Sequence, residues 1–212
     1  MEKLSQIGNI PVDFQTLVSF LKPYRSPKDK AGKMVQSGQL FRLKKGLYVL
    51  SPEISNTQIS RELIANHLYG PSCISLETAL SFYGMIPERV MITQSVTPKR
   101  KKVFETSLGC FAFTSVPEHY FPIGIKQIIS EDGFAFQIAS PEKALCDLIM
   151  TKAGIRFQSM KSIREFLLED LRLELSVLEN VEISIIRQCI AHGYKKTELD
   201  FLCKFLENEY AD

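Results

Sequence analysis

The spacing of hydrophobic residues predicts two short helices within the first forty positions. The first covers residues 11–21 and should end before Pro23. Its apolar side is formed by Val12, Leu17, Val18 and Leu21. The second should begin at Ser26, because serine can cap a helix and Pro27 suits the first helical position. Its buried face should be formed by apolar residues at i, i+3 and i+4, namely Ala31, Met34 and Val35.

Two apolar-rich strands should follow at residues 40–43 and 47–50, joined by residues 44–46. Gly46 supplies the backbone freedom that a tight hairpin turn needs. A polar, basic helix beside a hairpin with lysines at its tip is typical of a winged helix-turn-helix, whose helix enters the DNA major groove while the wing touches phosphate. Because the connection at residues 22–25 is too short for another helix, we expect an abbreviated helix-turn-helix.

The charge of the chain is concentrated at its N-terminal end. Residues 1–50 hold nine Lys and Arg against three acids, a net charge of +6, and the whole chain is +2, so residues 51–212 carry −4. Such an imbalance is typical of a phosphate-binding surface, although a solvated helix and an ordinary hairpin would also explain it. The residues predicted to contact DNA are Lys28, Lys30, Lys33, Gln36, Ser37, Arg42, Lys44 and Lys45. Gln36 can pair bidentately with adenine.

The rest of the chain predicts helices before and after an antiparallel sheet. Ser55 and Gln58 have the spacing of a capping box, so one helix should run from there to about Tyr69. A second should follow at residues 75–84. The predicted strands cover residues 91–96, 102–106, 109–116, 125–130 and 134–139. The last two flank Asp132-Gly133, the strongest hairpin signal in the chain.

A helix opening at Ser140 and three amphipathic segments beyond Ser159 complete the pattern. The fold class is therefore predicted to be α+β. We expect an N-terminal winged helix-turn-helix domain at residues 1–52, followed at residues 53–212 by an α+β domain with an antiparallel sheet and a helical C-terminus.

A second group of cations lies between two predicted strands and consists of Lys99, Arg100, Lys101 and Lys102. This turn could contact phosphate, face a partner protein, or simply be solvated. Capping and ion pairs within the chain explain Glu88 with Arg89, and Glu142 with Lys143. Aromatic residues that alternate on the strands should fill the core rather than stack on bases.

The sequence lacks the patterns of common enzyme sites. It has no Glu-x-Lys, no glycine-rich phosphate loop, no Gly-x-Ser-x-Gly and no Gly-Ser followed by paired aspartates. Asp147 and Asp170 lie on separate segments with no evident partner. The five cysteines are widely spaced without Cys-x-x-Cys, and the three histidines are scattered. We therefore expect a protein that is not an enzyme and that needs no metal and no cofactor.

Cellular location follows from two further features. The first residues do not form a signal peptide, and there is no run of 18 apolar residues. The cysteine pattern suits reduced thiols. We expect a cytoplasmic protein with no membrane segment.

Three segments together resemble the AbiEi antitoxin family, the DNA-binding partners in bacterial type IV toxin–antitoxin (abortive-infection) systems. They are QSGQLFRLKKGLYVL; ISLETALSFYGMIPERV followed by TQSVTPKRKKVFETSLGCFAF; and IASPEKALCDLI. They span residues 36–149 in the family's order. The resemblance implies an N-terminal winged helix that represses its own promoter, a C-terminal domain that neutralises a toxin, and a nucleotidyltransferase toxin as genetic partner.

Two other functions fit the same residues. One is a transcriptional regulator with no toxin partner, whose second domain senses a ligand or dimerises. The other is a protein–protein adaptor whose winged fold no longer binds DNA. A neighbouring nucleotidyltransferase gene would separate the antitoxin from the first alternative, and a salt-titrated DNA-binding assay would exclude the second.

Overall fold

The computed structural model of the protein describes residues 2–174 and 181–209. Its N-terminal part contains α1 (Glu2–Ser5), β1 (Val12–Asp13), α2 (Phe14–Phe20), α3 (Pro27–Gln36), β2 (Leu40–Lys44) and β3 (Leu47–Leu50). The two predicted helices and the hairpin are confirmed, but the first helix begins only at Phe14, and Val12, predicted on its apolar side, lies in β1. Neither α1 nor β1 was predicted. Asp13 caps α2, because its carboxylate accepts a hydrogen bond from the Thr16 amide at 2.7 Å.

These elements surround a small hydrophobic core. The strands form an antiparallel sheet in the order β1-β3-β2. The buried residues of this N-terminal core are Leu4, Ile7, Leu17, Leu21, Ala31, Met34, Leu40 and Leu50. The prediction that Val35 belongs to the buried face is wrong, since it is 37% exposed. Successive helical residues are rotated by about 100°, so Ala31 and Met34 face the core while Val35 lies at the edge of that arc.

The second part alternates helices and strands before it ends in helices. Its elements are α4 (Pro52–Ser55), α5 (Arg61–Leu68), β4 (Cys73–Ile74), α6 (Leu76–Phe82), β5 (Thr93–Thr97), β6 (Lys102–Thr106), β7 (Gly109–Ser115), β8 (Ile125–Ile129), β9 (Ala135–Ala139), α7 (Pro141–Thr151), α8 (Met160–Glu165), a π-helical turn (Phe166–Asp170), α9 (Ile183–His192) and α10 (Lys196–Glu209). The α+β class is confirmed. The C-terminal stretch is helical within the residues described.

The prediction of one helix from Ser55 to about Tyr69 is wrong. α4 ends at Ser55, whose hydroxyl donates to the Ser51 carbonyl at 3.0 Å instead of capping a following helix. α5 has its own cap in Ser60, whose hydroxyl accepts from the Leu63 amide at 3.1 Å. The capping-box spacing was therefore misleading, because a serine later in the sequence supplies the cap.

The larger sheet has six strands in the order β6-β7-β5-β4-β9-β8. The pairs β5–β7 and β4–β9 are parallel, and the other neighbours are antiparallel. The predicted antiparallel sheet is therefore a mixed one. Both parallel pairs bring together strands that do not follow each other in sequence, and turn signals do not report such pairings.

Helices α6, α9 and α10 pack around α7, which is buried from Glu142 to Met150. Ser140 caps α7 by accepting a hydrogen bond from the Lys143 amide at 3.3 Å. In the part of the chain that the structure describes, no helix combines the length and the apolar character needed to cross a bilayer.

The β2–β3 hairpin lies between two hydrophobic cores. Leu40 and Leu50 belong to the N-terminal core, whereas Leu43 and Val49 are buried in the larger core of the second part. Alternate residues of a strand point to opposite faces, so a single hairpin can contribute to both cores. The domain boundary at residue 52 stays a prediction, and the hairpin on its N-terminal side is packed from both directions.

Candidate nucleic-acid interface

Helix α3 presents a polar surface beside the hairpin. Pro27 occupies its first turn, and Ala31 and Met34 anchor it to the N-terminal core. Lys28, Lys33, Gln36 and Ser37 are all exposed, as the sequence predicted. Asp29 is exposed as well and is the acidic residue of the first turn. The exposed surface of α3 is therefore mixed in charge but mainly basic.

A groove of about 570 Å³ separates α3 from the hairpin. Its helix side is lined by Lys28, Ala31, Gly32, Val35 and Gln36, and its other side by Phe14, Arg42, Lys45, Gly46 and Tyr48. Phe14 and Tyr48 form a tilted aromatic pair with ring centroids 6.0 Å apart. The groove thus combines apolar walls with three cationic side chains.

A β-bulge in β2 places the side chains of Lys44 and Lys45 on different sides of the hairpin. β2 pairs regularly with β3 as far as Arg42, and the register then shifts so that Lys44 lies opposite Leu47. Alternation alone would place Lys44 on the same face as Arg42, beside the groove. The extra residue turns Lys44 to the opposite face, toward the second part of the chain. Lys45, beyond the bulge, still lines the groove.

Lys44 meets the second basic cluster at the C-terminal end of α5. Its ammonium donates to the Leu68 carbonyl at 2.6 Å, and Lys99 donates to the Gly70 carbonyl at 2.5 Å. The Leu68 carbonyl carries part of the negative charge of a helix C-terminus, whereas Gly70 lies beyond the end of α5. Partial burial lowers the pKa of Lys44, and repulsion from Lys102 and Lys99 lowers it further. The two basic clusters predicted from the sequence are therefore neighbours in space.

Two aromatic residues, Tyr69 and Phe104, contact Lys102 and the backbone of the turn between β5 and β6. The Lys102 ammonium lies 4.8 Å from the ring centroid of Phe104 and 5.5 Å from that of Tyr69. The Tyr69 hydroxyl donates to the Arg100 carbonyl at 3.2 Å. The side chains of Arg100 and Lys101 are exposed and have no hydrogen-bond or ion-pair partner among the described residues. They remain available to a ligand.

Three other residues that were predicted to contact DNA do not line the groove, namely Lys30, Lys33 and Ser37. Lys30 lies 5.0 Å from the ring centroid of Tyr24, away from the hairpin. The Ser37 hydroxyl donates to the Met34 carbonyl at 3.2 Å. Lys33 is exposed but does not line the groove. A neighbouring recess places Glu105 near Arg42, so a carboxylate borders this surface.

The non-basic residues of the groove were not predicted from the sequence to belong to the site. Gly32 and Val35 on α3, and Phe14 and Tyr48 opposite them, contribute as much of its lining as the cations do. Val35 has helical spacing to Ala31, so the sequence pattern predicted it to be buried together with Ala31 and Met34. Only the packing of the hairpin shows that it lies at the edge.

A buried polar cluster lies apart from this surface. Lys143 and Asp147 are fully buried on α7, one helical turn apart, with Nζ 3.2 Å from Oδ1. The Ser75 hydroxyl donates to the other oxygen of Asp147 at 2.5 Å, and the Lys143 ammonium lies 4.1 Å from the ring centroid of Tyr120. Burial, followed by the charge of Asp147, raises the pKa of Tyr120. Every member is closed to solvent, so the cluster belongs to the core and is not accessible to a ligand.

The sequence showed no evident partner for Asp147, and the structure supplies one. Asp147, which had no evident partner, pairs with Lys143. Lys143 therefore forms an ion pair within the chain, as predicted, while Glu142 accepts a hydrogen bond from the Glu182 amide at 3.0 Å. Glu88 also forms an internal ion pair, with Arg172.

Among the described residues, no group of three His, Cys, Asp or Glu side chains is placed to hold a metal ion. No protein-family model matches the sequence, and no curated protein has significant similarity to it.

We expect replacement of Lys44 to affect stability more than replacement of Lys45. Lys44→Ala removes a charge-assisted hydrogen bond to the end of α5, and the relief of burial and of repulsion from Lys102 and Lys99 offsets part of that loss, so we expect a net decrease of about 1 kcal/mol in unfolding free energy. Lys45→Ala should change it by less than about 0.5 kcal/mol, as surface substitutions usually do. Urea denaturation followed by circular dichroism measures both. Equal stabilities of the two variants would contradict the position assigned to Lys44.

Removal of one partner of the buried ion pair should be far more costly. Lys143→Met leaves Asp147 buried without its cation and should lower the unfolding free energy by about 3–5 kcal/mol. The double variant Lys143→Met with Asp147→Leu removes the uncompensated charge and should recover part of that loss. A double variant no more stable than Lys143→Met in urea denaturation would show that the pair is not electrostatically coupled.

Proposed function

We propose that this chain is a DNA-binding antitoxin that represses transcription from its own promoter. Its N-terminal elements would act as a winged helix, with α3 in the major groove and the β2–β3 hairpin as the wing. The order helix, strand, two helices and hairpin supports this assignment, since β1 adds a third strand beside β3.

The observation that carries the proposal is the basic groove beside α3, with a second basic cluster on the other face of the hairpin. Lys28, Arg42 and Lys45 line the groove beside α3. Lys44 links the hairpin to the Lys99–Lys102 turn, on which Arg100 and Lys101 are free among the described residues. A duplex in the groove would meet Lys28, Arg42 and Lys45 first, and only a phosphate backbone that passes over the wing would reach the second cluster.

The mechanism is non-catalytic. Lysine and arginine side chains would neutralise phosphates and release counterions, which gives an affinity that falls steeply with salt. Gln36 lies on the exposed side of α3 and supplies a donor and an acceptor that can pair with adenine in the major groove. Occupation of the promoter by this surface would block transcription of the operon.

The antitoxin part of the proposal rests on the resemblance of three segments to the AbiEi family. Under this proposal the partner is a nucleotidyltransferase toxin encoded beside this chain, which residues beyond the hairpin counteract. The positive charge is concentrated in residues 1–50 and the remainder carries −4, which favours a division between DNA binding and toxin control.

Loss of the two cations on the hairpin side of the groove should weaken DNA binding without regard to sequence. The double variant Arg42→Ala with Lys45→Ala should lower affinity for the promoter and for unrelated duplexes alike. It should also reduce the slope of log K against log salt concentration by about 0.9 for each phosphate that is no longer neutralised. Fluorescence anisotropy over a range of salt concentrations measures both quantities.

A matched control replaces one lysine and one arginine outside this surface, Lys126 on β8 and Arg156, both of which are exposed. This pair of substitutions should leave affinity and salt slope close to those of the parent chain. The groove is not a DNA site if the two double variants behave alike.

Toxin control should survive the loss of DNA binding. We expect full-length protein with Arg42→Ala and Lys45→Ala, expressed from an unrelated promoter, to rescue cells that express the neighbouring toxin gene, while failing to repress a reporter fused to its own promoter. Growth and reporter output, with protein levels matched, give the two readouts. Rescue by the parent chain alone would refute the division of labour. Failure of both chains would favour the regulator without a toxin partner.

A further inference from the structure

Gly32 lies in the middle of α3, where glycine is unfavourable. A glycine inside a helix lowers stability relative to alanine, because it loses more conformational freedom on folding. Packing gives no reason for it here: beyond the local backbone of α3 itself, no heavy atom of the described chain lies within 4 Å of a Cβ built at this position. Its φ is not in the left-handed region. The absence of a side chain therefore serves no packing purpose within the described residues.

Val35 lies three residues further along and borders the same groove. Residues three apart are neighbours on a helix surface, so the bare backbone at Gly32 adjoins the exposed isopropyl group of Val35. Together they form a shallow apolar notch on α3. The notch is a place where another molecule can approach the helix backbone more closely than elsewhere along α3.

The charge around the notch indicates which molecule approaches. Lys28 lies one turn before Gly32 on the same helix, and Arg42 and Lys45 lie across the groove, so these three cations outnumber the one carboxylate, Glu105, that borders the recess beside Val35 and Arg42. An anionic chain satisfies these cations, while an apolar group on that chain is needed opposite Val35. DNA combines both features, since thymine projects a methyl group into the major groove beside the phosphate backbone.

We infer that duplex DNA approaches α3 at Gly32, and that Val35 packs against the C5-methyl group of a thymine. This inference rests on the proposed function and adds a specificity-determining interaction to it. Gln36, the next residue, would then pair with a base adjoining that thymine.

The first test uses Gly32→Ala, which should raise the stability of the protein and lower its affinity for DNA. Gly32→Ala should raise the melting temperature by about 2–4 °C, because it removes the glycine cost without creating a clash within the protein. The same change should weaken binding to the promoter on the order of tenfold, because the added methyl group occupies the space of the approaching DNA. A more stable variant with unchanged affinity would overturn the close approach.

The second test removes the methyl group from the DNA instead. The promoter duplex upstream of this chain's coding sequence is footprinted with the parent protein, and each thymine in the footprint is replaced singly by deoxyuridine. Affinity for the parent chain should fall about fourfold at one position per site, the effect expected when one buried methyl group is removed. Val35→Ala should bind the normal duplex with a similarly reduced affinity and should be indifferent to deoxyuridine there.

Val103→Ala is the control, since Val103 is 60% exposed on the edge strand β6 and borders no part of the groove. It should keep the parent's response to deoxyuridine. Deoxyuridine sensitivity that persists in Val35→Ala, or that is absent from the parent chain while it still protects the promoter, would overturn the inference and leave DNA binding intact. Absence of any protection by the parent chain would overturn the proposed function as well.

Discussion

The arrangement of the candidate interface depends on the burial of one hairpin from both sides. β2 and β3 contribute Leu40 and Leu50 to the N-terminal core, and Leu43 and Val49 to the larger one. Apolar burial on two faces fixes the position of the hairpin relative to α3 and relative to the six-stranded sheet. The groove beside α3 and the approach of Lys44 to α5 are both consequences of that packing.

The bulge in β2 then determines how charge is distributed. A regular ladder would place both Arg42 and Lys44 beside the groove, whereas the observed register gives Lys44 to the second basic cluster. Partial burial lowers the pKa of Lys44 at that point, and repulsion from Lys102 and Lys99 lowers it further. The carbonyls of Leu68 and Gly70 offset part of this repulsion. A polyanion bound to the same surface would offset the remainder, so repulsion within the free protein favours such a ligand.

Local features of the sequence predicted much of the N-terminal fold. The periodicity of α3, the proline after Ser26 and the glycine of the hairpin turn all act between near neighbours, and the structure contains each element they indicated. The pair Lys143 and Asp147 has helical i, i+4 spacing and could also have been recognised. The mixed sheet could not, because the parallel pairs β4–β9 and β5–β7 join segments that are distant in sequence. The exposure of Val35 and the direction of Lys44 depend on tertiary packing that periodicity does not encode.

Two unfavourable features of the free protein occur on α3 and on the hairpin, the elements that the proposed function assigns to DNA. One is the mid-helix glycine, for which no packing reason exists within the described chain. The other is the approach of Lys44 to Lys99 and Lys102. By contrast, the ion pair of α7, in which Asp147 also accepts a hydrogen bond from Ser75, is enclosed by the core. Residues that lower stability are often found where a protein meets its ligand. The location of these features, more than the number of basic residues, supports the proposed DNA-binding surface.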